Sequence, residues 1–495
     1  MIILSNSLIN LSGVTMKYII LISVLSTLLV CCHDRNGQVY SVSPTNKQIV
    51  LNTGCQNNNA TPVLKQNPQE VSLSSWNAYN LFDLKHDQEN GKDKNDWQYG
   101  PQVIVDHNLN YISGPKDKFL GCQKALKIGL SRCKHSADEK LCKQKQKSYF
   151  NSCINTNWTQ KLLDQKINNL TRGVKLFKKS HRIPDILLLS EVENPQIIKE
   201  LAIKLGYIQK NQTTQNTLKG NCKTNDLAQI HMTTSPDERG IDVGILINPT
   251  AEHIETISCH EYDAKTGGSR PTRNILELEL RVDNCYRLFI YSNHWPSQAG
   301  PTFLRVNAAK RLGEIIQQRK SQYPDSYFIA GGDFNVVDSN DKVPNHPIHN
   351  IMKDKYQFTD LWQYSKSPGS YYYAPNLSWN KLDRFLLSKN LMTTKGLRYR
   401  KNSFVVHSNK TVSMEKRIKF YRNINVINKR RARGENIRFE NIYSDINNPR
   451  LNFEFKNDPQ LESVEVAESC APLKFSAKNG TGFSDHFAIS MALKY

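Results

Sequence analysis

Two acidic motifs in this 495-residue chain contain residue types that can cleave phosphate esters. Ser484–His486 and Gly331–Asn335 each adjoin an apolar run that is typical of a buried strand. At a strand end a carboxylate can hold a divalent cation, and a neighbouring histidine can move a proton. Because such strand ends can converge on one cleft, the motifs predict metal-assisted phosphate chemistry, and an enzyme is the first hypothesis.

Other motifs accompany these two in a fixed order. Ser75–Asn77, Leu188–Asn194 and Asn293–Ser297 lie upstream, and Lys381–Ser388 lies between the two acidic motifs. In this order they resemble the endonuclease/exonuclease/phosphatase superfamily, and the resemblance extends from about Val71 to the end of the chain. It implies an α/β fold of the DNase I type, a four-layer α/β/β/α sandwich in which two packed mixed β-sheets are flanked by helices.

Apolar patterns place the motifs on regular elements that such a sandwich would bury. A helix is predicted from about Phe303 to Lys320, and another has an apolar face formed by Leu163, Ile167, Leu170, Val174 and Phe177. Continuous apolar runs predict strands at Val71–Asn77, Ile186–Leu189, Ile241–Ile247, Ile275–Leu280, Leu288–Tyr291, Tyr327–Ala330, Phe385–Leu387 and Phe487–Met491.

His486 is the candidate general base. A neutral imidazole can accept a proton from water near neutral pH if a partner fixes its tautomer, and the resemblance gives this role to Asp383. Asp333 and Asn335 occupy alternate positions after a strand, so both can face the cleft. The resemblance implies that they orient the attacking water or the leaving group and bind the phosphate. For His486 and Asp383, the alternative is that they only satisfy local hydrogen bonds.

His294 follows another apolar strand. The resemblance to DNase I-like and sphingomyelinase-like branches implies that it protonates the leaving oxygen or stabilises the phosphate, with Asp242 as its candidate partner. Arg273 and Arg239 are candidate phosphate-binding residues, and a surface ion pair is an equal alternative for each.

A metal site is predicted around Glu191. This residue ends an apolar strand, where a carboxylate is costly to bury without a cation or hydrogen-bond donors. The resemblance makes Glu191 the main Mg²⁺ ligand, with Asp485 and Asn77 completing or supporting the shell. Oxygen ligands also suit Mn²⁺ or Ca²⁺. Glu193 lies two residues further on, and it is interpreted as the cap of a helix that begins at Pro195.

The chain carries a formal net charge of +21 and has a pI near 9.4. Such a charge favours an anionic partner such as nucleic acid, although scattered lysines also serve solubility. One of two insertions, at about 397–473, combines Lys and Arg with aromatic residues. Nucleic-acid contact and a solvated loop are equally weighted interpretations of it. The basic residues are Lys416, Arg417, Lys419, Arg422, Lys429, Arg430, Arg431 and Arg433, and the aromatic residues are Phe420, Tyr421 and Phe439.

The N-terminus predicts export. Lys17 precedes an apolar run that is too short to span a bilayer, so residues 1–32 are typical of a signal peptide. Cys31 and Cys32 leave open a lipoprotein, which would bring the protein to a membrane. A flexible polar leader is predicted at 33–69 and the catalytic domain at 70–495, whereas the sequence does not indicate an oligomeric state.

The second insertion, at about 92–159, contains Cys122, Cys133, Cys142 and Cys153. Their spacing predicts two short helices joined by disulfides, as expected in an exported protein. A zinc site is the alternative, but there is no Cys-x-x-Cys pair here. The other cysteines after the apolar run are odd in number, so their connectivity is open.

Three functions compete. A secreted, metal-dependent nuclease comes first, because the charge suits a polynucleotide and Asn293–Ser297 resembles extracellular bacterial nucleases. A sphingomyelinase-type lipid phosphodiesterase comes second; it needs an exposed apolar hairpin, for which only Tyr371–Tyr373 is a candidate, and core packing is an alternative there. A non-catalytic binding module on the same fold comes third.

Overall fold

A computed structural model describes residues 70–84, 88–89, 92–93, 99–134, 139–177, 183–208, 219–224, 229–268, 272–337, 345–373, 378–408, 413–423, 442–443, 461–478 and 480–495. The predicted signal peptide and polar leader lie outside these residues. None of the helices within the described ranges is long and apolar enough to cross a membrane.

The helices are α1 Lys116–Cys133, α2 Glu139–Asn155, α3 Gln160–Leu176, α4 Pro195–Leu205 and α5 Thr302–Gln322, with a π-helix at Pro347–Lys355 and 3₁₀-helices at Leu361–Tyr364 and Lys389–Met392. The strands of the first half are β1 Glu70–Leu81, β2 Gln88–Glu89, β3 Lys92–Asp93, β4 Ile104–Val105, β5 Tyr111–Ser113, β6 Ile186–Val192, β7 Lys219–Gly220, β8 Lys223–Thr224, β9 Ile230–Met232 and β10 Asp242–Ile247. Those of the second half are β11 Ile254–Tyr262, β12 Ile275–Val282, β13 Tyr286–His294, β14 Tyr327–Asp333, β15 Phe358–Asp360, β16 Tyr371–Tyr373, β17 Ser378–Asn380, β18 Asp383–Ser388, β19 Arg398–Tyr399, β20 Val405–Val406, β21 Ser413–Asn423, β22 Ile442–Tyr443, β23 Leu461–Pro472 and β24 Ile489–Lys494.

Two mixed sheets form the centre of the larger of two compact units. The first has the order β19-β24-β1-β6-β10-β9-β8, with β20 also paired to β24, and the second has the order β15-β18-β14-β13-β12-β11-β7. Within them β1 runs parallel to β6, and β13 runs parallel to β14, whereas β18 is antiparallel to β14. Parallel neighbours bring their carboxyl ends to one edge, where the acidic motifs follow.

The space between the sheets is filled by one apolar cluster. Leu73 and Leu188 of the first sheet pack there with Leu278, Ile290 and other residues of the second. Full burial of such a side chain stabilises the fold by about 1.5–3 kcal/mol. Each predicted strand corresponds to a strand of the structure, and one face of the strands packs into this cluster.

Helices cover the outer faces of both sheets. Phe289 of β13 packs with Ala308 and Leu312 of α5 on the second sheet. On the first sheet, the Trp76 and Phe177 rings meet with centroids 5.1 Å apart where α3 ends. The predicted sandwich of two sheets with flanking helices is therefore confirmed.

The cysteine-rich insertion forms the predicted helical hairpin. Disulfides join Cys122 to Cys153 and Cys133 to Cys142 between α1 and α2. The zinc alternative is wrong, because all four sulfur atoms are used in these bonds. A further disulfide joins Cys222 to Cys259, and Cys285 is disulfide-bonded as well.

The basic insertion is shorter than its predicted bounds suggest, because β19 and β20 belong to the first sheet. The other compact unit includes residues 408–471, in which β21 lies between β22 and β23 in a three-stranded sheet. The predicted contact residues Lys416, Arg417, Lys419, Phe420, Tyr421 and Arg422 lie on β21. Lys429, Arg430, Arg431, Arg433 and Phe439 lie outside the described residues.

Gly332 fixes the approach of β13 to β14 beside the acidic motif. Its φ is +126°, and a Cβ would overlap the Asn293 carbonyl oxygen. We expect Gly332→Ala to lower the free energy of unfolding by more than the roughly 1–3 kcal/mol of backbone strain alone. Gly206, with φ +82° and open space around its Cα, is the matched control, and Gly206→Ala should cost only strain. Urea unfolding measures both, and equal losses would contradict the role of the overlap.

Candidate active site

The strand register brings the candidate residues to one edge of the paired sheets. His294 ends β13 beside Asp333 at the end of β14, and Asp333 faces Asp383 at the start of β18. In the other sheet, Asn77 of β1 lies beside Ser190, the residue before Glu191. His486 precedes β24, which pairs with β1. Residues remote in the sequence thus meet because the parallel strands end together.

Asp383 and His486 form a buried pair. His486 Nδ1 lies 2.7 Å from Asp383 Oδ2, and the two side chains are 6% and 0% exposed. Two contacts hold the His486 backbone: its N–H donates to Ser484 Oγ and its carbonyl accepts from Trp76 Nε1. The structure therefore forms the pair that the resemblance implied, and it directs His486 Nε2 away from Asp383.

Asp333 lies between the two histidines. Its Oδ2 is 3.8 Å from His294 Nε2 and 3.9 Å from His486 Nε2, and it accepts a hydrogen bond from Asn77 Nδ2 at 3.2 Å. His294 Nε2 is also 3.9 Å from Glu191 Oε1. These separations exceed a direct hydrogen bond, and an oxygen atom of water or substrate that lies beside two such groups can bridge them.

Asp242 does not pair with His294, so this part of the sequence prediction is wrong. Its carboxylate accepts from Thr233 Oγ1 at 2.7 Å and from Ser235 N–H. His294 Nδ1 is buried and has no hydrogen-bond partner among the described residues. The short aspartate side chain is instead held by hydrogen bonds from Thr233 and Ser235.

Asn335 follows Asp333 in a left-handed conformation, with φ +51°. Its backbone N–H donates to Asp333 Oδ1 at 2.9 Å, and its side-chain Nδ2 donates to the Trp295 carbonyl at 3.0 Å. In this arrangement Asn335 fixes the Asp333 carboxylate and the loop after His294.

Arg273 and Arg239 differ in environment. Arg273 is buried and forms a 3.1 Å ion pair with Asp237, and it also donates to the Trp295 carbonyl. Arg239 is 45% exposed, and its Nε lies 3.9 Å from the same carboxylate. Arg273 therefore forms the ion pair of the alternative interpretation, but this pair is buried rather than at the surface, whereas Arg239 keeps an exposed guanidinium. Asp237 contacts both arginines, and the sequence did not predict these contacts. Its only signal in the sequence is that it lies two residues before Arg239.

Glu191, Asp485 and Asn77 supply oxygen atoms beside this cluster. Glu191 has φ +59° and accepts from the Asn80 N–H at 2.9 Å. Burial is the main cause that raises the pKa of Asp485, and the nearby negative charge of Glu191 raises it further. Two carboxylates that raise each other's energy suit a hard divalent cation, whose preferred ligands are oxygen atoms. These three residues therefore offer the type of oxygen donor that a divalent cation prefers.

Glu193 does not cap α4, contrary to its interpretation in the sequence. Asn194 is the N-cap, since its Oδ1 accepts from Ile197 N–H at 2.9 Å. Glu193 is buried and accepts instead from the Asp83 N–H. It thus ties the chain after β6 to the chain after β1.

The sequence did not predict that two further residues, Lys474 and Tyr371, lie at the site. Lys474 Nζ lies 3.7 Å from Asp485 Oδ2 and 4.3 Å from the centroid of the Tyr79 ring. Tyr371, assigned to core packing or bilayer contact, is half-buried, and its ring centroid is 4.8 Å from that of His486. Neither contact had a sequence signal, because both contacts depend on the fold.

The two histidines differ in protonation. Burial lowers the pKa of His486, but Asp383 and Asp333 outweigh this effect and raise the pKa to about 10. Burial together with Arg273 and Arg239 holds the pKa of His294 well below its ordinary value. Burial raises the pKa of Asp333 to about 7 against the opposing His486 charge. Without a metal, His486 is therefore cationic near pH 7 and His294 is neutral.

This protonation should make stability depend on pH. The His486 pKa is about 10 in the folded state against 6.5 ordinarily, so the native protein binds the proton more tightly. Its contribution is complete below pH 6.5 and is lost as the pH rises towards 10, with a slope of at most about 1.4 kcal/mol per pH unit. Urea unfolding of the wild-type protein in EDTA at about pH 7, 8 and 9 should give a free energy of unfolding that falls as the pH rises. A free energy that stays constant over this range would contradict the raised pKa.

Comparisons with known proteins identify the family. The model of the Endonuclease/Exonuclease/phosphatase family matches residues 140–430, more than half of the chain. No curated protein matches the sequence. A solved structure of an endonuclease/exonuclease/phosphatase family protein from Bacteroides thetaiotaomicron is 10% identical, and the match covers 87% of this chain and 99% of that chain with a TM-score of 0.39.

Two further solved structures have similarly low identity. The mannosyl-6-phosphatase of Bacteroides thetaiotaomicron VPI-5482 is 10% identical, with coverage of 86% and 100% and a TM-score of 0.39. Humanized TDP2 of D. rerio is 12% identical, with coverage of 86% and 99% and a TM-score of 0.37. The assignment therefore rests on the family model and its extent: this chain belongs to the endonuclease/exonuclease/phosphatase family.

Proposed function

We propose that the protein is an exported, divalent-metal-dependent phosphodiesterase that hydrolyses nucleic acid. Family membership supports a phosphoesterase-type hydrolase. The observation that carries the proposal is the convergence of both histidine Nε2 atoms on Asp333, at 3.8 Å and 3.9 Å, beside the Glu191 carboxylate. A phosphate group at this point meets a proton acceptor, a neutral imidazole and a metal-binding carboxylate together.

Glu191 and Asp485 are the residues that would hold the cation, with Asn77 supporting them. Mg²⁺ is the proposed ion, and Mn²⁺ or Ca²⁺ are alternatives with the same oxygen preference. When bound, such a cation supplies positive charge that stabilises the phosphoryl oxygens and the leaving oxygen. His294 and Asp333 lie close enough to orient the water and phosphate beside it.

His486 is the proposed proton acceptor for the attacking water. Asp383 binds Nδ1 and leaves Nε2 directed towards Asp333, which orients the water. Only the neutral imidazole accepts a proton, so His486 must first release the proton that its carboxylate neighbours stabilise. Of the two histidines, His294 is the neutral one. It therefore stabilises the phosphate by a hydrogen bond from its neutral imidazole rather than by acting as a general acid.

Nucleic acid is favoured by charge. The net charge of +21 gives a field that attracts polyanions. Arg239 is half-exposed and raises the positive potential at His294, and Lys474 is half-exposed beside Asp485. These two cations are placed to meet phosphates that flank the cleaved bond.

Export is supported by the disulfides. Three bonds within the described residues, of which two fix the helical hairpin, form and persist in an oxidising compartment. The proposed signal peptide at 1–32 would deliver the chain there.

A lipid phosphodiesterase is the second candidate, and one observation favours it. Val103 and Tyr111 pack into the apolar cluster of the hairpin, whereas Ile104 and Ile112 on the short β4–β5 ribbon are 53% and 58% exposed. Exposed apolar side chains on a ribbon suit insertion at a bilayer surface. This is a better candidate for bilayer contact than Tyr371–Tyr373.

Cleavage assays distinguish these functions. Purified full-length protein is incubated with supercoiled plasmid, single-stranded RNA or sphingomyelin vesicles, with Mg²⁺, Mn²⁺ or EDTA. We expect metal-dependent cleavage of plasmid, RNA or both. Hydrolysis of the vesicles alone would replace the nuclease by the lipid enzyme, and no hydrolysis of any substrate would favour a non-catalytic binding module.

A further inference from the structure

Near its C-terminal end, β1 contains an irregularity formed by two consecutive left-handed residues, which we call the Tyr79–Asn80 turn. Tyr79 has φ +53° and Asn80 has φ +55°, and the pairing of β1 with β6 shifts register between Asn77 and Leu81. The left-handed region costs a residue with a Cβ about 1–2 kcal/mol. Two such residues in succession persist only if other contacts hold them there.

This turn is connected to both sides of the proposed metal site. The Tyr79 N–H donates to Asn77 Oδ1 at 2.9 Å, and the Asn80 N–H donates to Glu191 Oε2 at 2.9 Å. A relaxed turn would withdraw both donors. The orientation of the Asn77 and Glu191 side chains therefore depends on the left-handed conformation.

One buried lysine on α3 binds the turn directly. Lys166 Nζ donates to the Tyr79 carbonyl and, at 2.8 Å, to the Asn80 carbonyl. The rings of Tyr79, Trp158 and Phe475 surround it, with centroids 5.3, 5.5 and 5.4 Å from Nζ. The side chain is 1% exposed, and burying an ammonium group is costly unless carbonyls and ring faces replace its water.

We propose that Lys166 is a positioning residue that holds the Tyr79–Asn80 turn in its left-handed form and thereby orients Glu191 and Asn77 towards the cation. This inference rests on the proposed metal site. Lys166 acts through the backbone of the turn. Its charge also interacts with Glu191 and Asp485, so loss of the charge alone would strengthen cation binding, and weaker binding reports the lost contacts with the turn.

The chain contains a matched control in Lys118. This lysine is also buried, at 4% exposure, and its Nζ also donates to two carbonyls, those of Gly100 at 2.8 Å and Thr156 at 2.6 Å. Those two carbonyls precede and follow the helical hairpin in the chain, and they contact none of the candidate metal ligands. Loss of Lys118 should therefore cost stability without changing metal affinity.

The test measures Mn²⁺ binding and thermal unfolding of the full-length protein in the absence of substrate. Calorimetric titration should give a Kd that rises about 10–100-fold in Lys166→Met, the range for residues that orient metal ligands. Lys118→Met should lower Tm and keep the wild-type Kd. A wild-type Kd in Lys166→Met would overturn the inference.

A third variant covers the case in which Lys166→Met does not fold. Lys166→Arg keeps the charge, but its planar guanidinium cannot match an ammonium between two carbonyls and three rings. A Kd raised at least about tenfold supports the inference, and an unchanged Kd overturns it. If the wild-type protein binds no Mn²⁺, the proposed metal site itself fails, which separates that outcome from failure of the positioning role.

Discussion

Hydrolysis by the His486→Ala protein should be slower than wild type by about 10²–10⁴-fold, the range for loss of a positioned acid or base. The imidazole is bound to Asp383 at 2.7 Å, and its other nitrogen is directed towards Asp333. Without it, the attacking water has no acceptor at this position. Plasmid cleavage under saturating Mg²⁺ measures the change.

Stability must be measured alongside activity for this variant. Removing His486 leaves Asp383 and Asp333 buried without their cationic partner, which is destabilising. His407→Ala is the matched control, because His407 is also buried but bonds to Ser490 Oγ at 2.7 Å and stacks on Phe177. It should lose stability and keep its activity. A folded His486→Ala protein with wild-type turnover would remove the proposed base.

Glu191→Gln should abolish most of the metal-dependent activity and raise the concentration of Mg²⁺ that gives half-maximal rate by at least about 10–100-fold, the range for residues that only orient a metal ligand. An amide keeps the shape of the side chain and one oxygen atom but loses the negative charge that a hard cation prefers. The amide can still accept from the Asn80 N–H, so the turn should survive. Steady-state cleavage across a Mg²⁺ series, started from EDTA-treated protein, measures the effect.

Glu193→Gln is the control for this substitution. Glu193 lies two residues further along, is buried, and accepts from the Asp83 N–H. It should leave the Mg²⁺ dependence unchanged. If both variants respond alike to Mg²⁺, or if Glu191→Gln responds like wild type, Glu191 is not the principal metal ligand.

Much of the fold followed from local patterns. Ile186–Leu189 and Tyr327–Ala330 are strands because both of their faces are covered, so the sequence is continuously apolar. β11 was missed, since Ile254–Tyr262 is only partly buried and mixes charged with apolar residues. The π-helix at Pro347–Lys355 was also missed, because its short pattern does not distinguish it from a loop.

Sequence by itself determined which side chains could do chemistry and in which order they occur. Asp383, His486, Asp333, Glu191 and His294 all follow or begin apolar strands, and the ends of such strands meet wherever parallel neighbours pair. The cysteine spacing likewise predicted the stapled hairpin.

Only the tertiary structure decided how these groups are oriented and charged. Asp242 accepts a hydrogen bond from Ser235 and does not pair with His294. Asn194, rather than Glu193, caps α4. Lys166 lies on the apolar face between Leu163 and Leu170, yet its role depends on carbonyls more than 80 residues earlier. The physical reason is that orientation, burial and pKa arise from contacts between remote segments, which a local pattern of residue types does not contain.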